Sequence, residues 1–90
     1  MILLVSYDLK RRKEEYKDLY ELFKSADGWW HYLESTWLID TTQSPKEWSD
    51  RIKALLGDGD HFIVIEITGQ KRQGWLPKKA WQWIRDSEED

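Results

Sequence analysis

Seven tryptophans, Trp29, Trp30, Trp37, Trp48, Trp75, Trp81 and Trp83, stand in a chain of 90 residues that contains no cysteine. Without cysteine there is no disulfide framework, no thiolate zinc site and no cysteine nucleophile, and a cytoplasmic setting is expected. Stability has to come from buried apolar surface, yet a domain this small buries only about 60–65% of what its unfolded chain exposes. Large side chains suit that constraint. An indole brings a wide apolar body and one N–H in need of an acceptor, which fits a core and equally fits an interface. The tryptophans therefore read two ways, as filling for a small core or as an interface formed by Trp29, Trp37, Trp75 and Trp81. Size alone makes a homodimer a reasonable expectation.

Hydrophobic periodicity divides the chain into elements. Residues 2–8, Ile-Leu-Leu-Val-Ser-Tyr-Asp, read as a buried central strand. Tyr16, Leu19, Tyr20 and Phe23 then fall at i, i+3, i+4 and i+7, which predicts a helix over 12–26 closed at Asp27-Gly28. Residues 29–41 are aromatic and β-branched, too long for one strand, and a bend near Glu34-Ser35 should split them into two. Ser44-Pro45-Lys46-Glu47 has the N-cap serine, first-turn proline and third-position glutamate of a helix start, and the stripe Trp48, Ile52, Leu55, Leu56 continues it to Gly57. After a turn at 58–60, residues 61–68 alternate Phe62, Val64 and Glu66 against Ile63, Ile65 and Ile67. A polar loop leads to a terminal helix over 78–86 carrying Trp81 and Ile84, and 87–90 should form a frayed, solvated acidic tail.

The order is β–α–β–β–α–β plus a C-terminal helix. This is an α+β, ferredoxin-like sandwich, one domain over 1–86, with an antiparallel sheet and two helices on one face. The other face is left for the terminal helix or a second copy to cover.

A net charge of −3 and a pI near 5.4 argue against broad affinity for nucleic acid, although a local patch can still bind RNA or DNA. Lys10-Arg11-Arg12-Lys13 is that patch, and it reads alternatively as a solvated helix face paired with Glu14, Glu15 and Asp18. The longest apolar run, residues 1–5, is far short of the ~20 needed to span a bilayer, and no signal-peptide pattern is present, so neither membrane anchoring nor export is expected. No glycine-rich phosphate loop, GxSxG or closely spaced histidine pair occurs. His31 could serve as a general acid or base, or be a packed histidine; His61 should be exposed.

Ser6-Tyr7-Asp8-Leu9 closing the first strand, and Glu34-Ser35-Thr36-Trp37-Leu38-Ile39-Asp40 running into Ser44-Pro45-Lys46-Glu47, resemble the CRISPR-associated protein 2 family and the virulence-associated protein D toxins of the same fold. Tyr7-Asp8-Leu9, Trp30-His31 and Ser35-Thr36-Trp37 are also similar to short bacterial proteins with a SinR-family label, though the element order is not that of a helix-turn-helix domain. The resemblance implies a homodimer of this fold acting as a non-catalytic structural module or a defence- or toxin–antitoxin-associated one. The alternative it implies is a metal-dependent endoribonuclease, in which Asp8 is the catalytic and metal-binding residue and meets its counterpart across the dimer axis on magnesium or manganese. The residues themselves name no cofactor, and Asp8 reads equally as a cap on the turn into the first helix.

Overall fold

Strand β1 (Ile2–Asp8) is flanked on both edges, by β3 (Thr36–Asp40) and by β4 (His61–Glu66), each antiparallel to it. Strand β2 (Gly28–Trp30) extends the sheet beyond β3, giving the order β2-β3-β1-β4. The computed structural model describes residues 1–88, and in it three helices accompany this four-stranded antiparallel sheet: α1 (Lys17–Lys24), α2 (Pro45–Lys53) and α3 (Lys78–Glu88). The expected α+β class is met.

Both faces of β1 are apolar, and that places it in the centre. Leu3 and Val5 point to one face with Trp37 and Ile39 of β3, and there they meet Leu19 and Phe23 of α1 and Trp48 and Ile52 of α2. Each tryptophan in this layer buries roughly 150–250 Å², which at about 25 cal/mol per Å² is about 4–6 kcal/mol apiece. Their N–H groups are satisfied: Trp37 Nε1 donates to the Tyr7 hydroxyl at 3.0 Å and Trp48 Nε1 to Thr41 Oγ1 at 3.0 Å. Helix α2 begins as its sequence requires, with Ser44 Oγ accepting from the Glu47 N–H at 3.1 Å and Pro45 in the first turn. It ends before the stripe does, so Leu55 is exposed.

The helix expected over 12–26 is interrupted. Lys13–Tyr16 form a 3-10 turn and α1 begins only at Lys17. The Tyr16 hydroxyl reaches back to accept from the Arg11 N–H at 2.9 Å and to donate to Asp60 at 2.7 Å, and those bonds draw the first turn away from α-helical spacing. The split between β2 and β3 falls at 31–35, which leaves His31 in a loop and not in a strand.

On the other face, Ile84 of α3 packs on Ile2 and Leu38, with Leu4, Trp30, Trp81 and Trp83 around them. The Trp83 ring lies over Gly28, where a Cβ would make ordinary contact at 3.6 Å. The terminal helix thus covers part of its own sheet. It also continues past the expected end: Ser87 is buried, and the Glu88 carboxylate takes the Arg72 guanidinium through both oxygens and the Gly69 N–H. Arg72 first, then Gly69, holds the Glu88 carboxyl at about 2. Residues 87 and 88, expected in the solvated tail, therefore belong to α3; residues 89–90 lie outside the described residues. Among the described residues no helix is long and apolar enough to cross a membrane.

Candidate functional site

The C-terminal end of β1 presents Tyr7 to the core layer and leaves Asp8 exposed, opposite His61 in the pairing with β4. Tyr7 stacks on Phe23 with ring centroids 6.2 Å apart, and burial, opposed by the Trp37 N–H, pushes its hydroxyl up to about 12. Asp8 borders an open hollow of about 310 Å³ together with Arg11, Arg12, Lys13, Tyr20 and Glu34. The structure therefore does bring Asp8 beside three of the four basic residues. The fourth, Lys10, lies over the turn at Gly59.

Two of those cations are already engaged. Arg11 stands 3.9 Å from Asp60 and 4.0 Å from Glu15 and lies over the Tyr16 ring, while Lys13 pairs with Glu34 at 3.5 Å. The Arg11–Glu15 and Lys13–Glu34 pairs are exposed and contribute little stability, but together with Arg11–Asp60 they reduce the field available to a phosphate. Among the described residues Asp8 accepts no side-chain hydrogen bond and caps no helix, and no group of three or more His, Cys, Asp or Glu stands close enough to hold a metal ion. Two carboxylates, Asp8 and Glu34, line this hollow, but Glu34 is paired with Lys13 and three cationic side chains stand beside them, which is a poor donor set for magnesium or manganese. The residues of one chain do not fit that ion.

The carboxylate that does organise this corner is Asp60, which sequence reasoning treated only as part of a turn. Its side chain is 1% exposed and accepts from the Lys10 N–H at 2.7 Å, the Tyr16 hydroxyl at 2.7 Å and the Gly57 N–H at 3.0 Å. Burial opposes its charge, yet the Lys10 and Gly57 N–H groups, Tyr16 and Arg11 together hold the carboxyl below its ordinary value. Gly59, at φ +90°, makes the turn that aims it. The Asp-Gly-Asp spacing was the available signal, since aspartate beside a left-handed glycine commonly binds nearby backbone N–H groups.

His31 is exposed, stacks on Trp37 with centroids 4.1 Å apart and holds Nε2 3.2 Å from the Glu34 carbonyl oxygen. Among the described residues its one hydrogen-bond partner is that carbonyl, and no second titratable group is bonded to it. His61 is exposed at the start of β4.

The four interface candidates separate. Trp37 is buried and belongs to the core. Trp29 is 41% exposed with Lys24 Nζ 5.7 Å from its ring centroid, Trp81 is half-buried on the sheet-facing side of α3, and Trp75 is 99% exposed. Trp75 borders a second hollow, of about 280 Å³, between the sheet, α3 and the loop that precedes it. Beside it on the same face, Ile63 and Ile65 of β4 are 54% and 45% exposed, beyond the reach of α3. This open end of the sheet is an exposed apolar surface that periodicity did not disclose, since alternation does not show how far a helix extends.

Comparisons of the chain with protein-family models, with curated proteins and with solved structures return no match.

Proposed function

We propose that this chain is a ferredoxin-like module that works as a homodimer, joined through the open end of its sheet, with a structural or defence- or toxin–antitoxin-associated role and no reaction of its own. The antiparallel order β2-β3-β1-β4, with α1 and α2 on one face, supports the fold. The observation that carries the association is the uncovered pair Ile63 and Ile65 on edge strand β4, next to an apolar hollow that α3 leaves open. An exposed edge strand with apolar side chains is a template for pairing unless something covers it.

The test is a charge on that face. Ile63→Lys should leave the far-ultraviolet circular dichroism unchanged and convert a dimer, seen by light scattering after size exclusion, into a monomer. A variant that retains the wild-type mass would contradict the assignment of this face.

A second reading, a metal-dependent endoribonuclease using Asp8, is favoured by one observation: Asp8 is exposed and its carboxylate accepts no hydrogen bond among the described residues, beside Arg11, Arg12 and Lys13. Because one chain lacks the donors, this reading requires a second copy to complete the site. It expects manganese to raise the melting temperature of wild type in proportion to occupancy and to leave Asp8→Asn unmoved. Melts indifferent to manganese in both proteins, or RNA cleavage that survives in Asp8→Asn, would remove it.

A further inference from the structure

Trp75 is the most exposed of the large apolar side chains, at 99%, and it borders the hollow lined by Trp30, Leu33, Leu38, Ile67, Leu76 and Trp81 without entering it. A plug and a socket thus share one surface. A two-fold interface has that self-complementary form, in which each copy offers the same feature and receives its counterpart. We propose that Trp75 of one copy seats in this hollow of a second copy, and the reverse, so that each socket is completed only in the dimer. The inference rests on the homodimer reading above and names the residue that makes it specific.

Size, chemistry and area agree with an indole as the occupant. An apolar cavity of about 150 Å³ takes benzene, and the hollow here, at about 280 Å³, has room for the larger fused ring. Among the described residues Arg72 is the only charged side chain on its wall and is already held by Glu88, so seating an indole there buries no unpaired charge of theirs. The indole N–H needs an acceptor. The Thr36 hydroxyl and the Gln73 carboxamide lie on the wall and make no side-chain hydrogen bond among the described residues. Each indole would bury roughly 150–250 Å², so a reciprocal exchange removes about 300–500 Å² from water on the two side chains alone, to which the exposed wall of each hollow adds. Ile63 and Ile65, exposed on the same side, extend this apolar surface towards the ~1,000 Å² that a specific interface requires.

Because Trp75 touches almost nothing within its own chain, removing it leaves the monomer intact, and any change is read from association alone. Sedimentation equilibrium should show Trp75→Ala associating about a hundredfold or more weakly than wild type, with the same circular dichroism, while Trp75→Phe retains most of the affinity. Free indole should dissociate the wild-type dimer by occupying the socket. Wild-type affinity in Trp75→Ala overturns the proposal and leaves the dimer standing. Indole that binds without weakening association also overturns it, since the hollow is then a ligand pocket and not a socket. A wild type that remains monomeric at every concentration overturns the proposal and the dimer reading together.

Discussion

Trp37→Ala should destabilise the fold by about 3–5 kcal/mol. Trp37 is a buried hub: Tyr20, Phe23, Trp29 and His31 surround its ring at centroid distances from 4.1 to 6.2 Å, and its N–H is held by Tyr7. Truncation opens a cavity between the sheet and α1 and leaves the Tyr7 hydroxyl without its buried donor, so transfer, cavity and hydrogen-bond losses add. For a domain of this size that approaches the whole of its stability. Urea unfolding followed by circular dichroism checks it, and an unchanged midpoint would show that the indole is not part of the core.

The second large effect is expected at Asp60. Asp60→Asn keeps the shape but removes the charge that Lys10, Gly57, Tyr16 and Arg11 converge on, at a cost of about 2–4 kcal/mol. The pH dependence has a definite sign. The folded carboxyl lies below its ordinary value of 3.8, so its contribution is fully present above that value and is lost as pH falls through the folded one. Acid unfolding of wild type should therefore steepen below that point, and the variant should lose that part of the slope while being less stable near neutrality. Parallel pH profiles for the two proteins would contradict the role given to Asp60.

The helix and strand positions were legible where a local rule suffices. Ser44, Pro45 and Glu47 start α2 through bonds a few residues long, and alternation in 61–66 separates Phe62 and Val64 from Ile63 and Ile65, although only the packing against the core layer shows that the first pair is the inner one. Legibility failed where a distant partner decides. The first turn after Lys13 departs from α-helical geometry because Tyr16 answers to Asp60, which lies 44 positions further on. The terminal helix extends to Glu88 because Arg72 and Gly69 hold its end, a contact that a run of acidic residues does not disclose. At the candidate site, the run Asp8 to Lys13 looked like one electrostatic unit, but the fold turns Arg11 towards Asp60 and Lys13 towards Glu34. Trp75 and Trp37 could not be told apart by composition. One sits on a central strand and the other on a loop that no layer covers.

The central claim, that this chain works as a homodimer through the open end of its sheet, is tested most directly by sedimentation equilibrium of the unmodified protein from low to high micromolar concentration. The weight-average mass should rise from the 10.9 kDa of one chain towards about twice that value and fit a single monomer–dimer equilibrium. A mass that stays at 10.9 kDa across the whole range would contradict it.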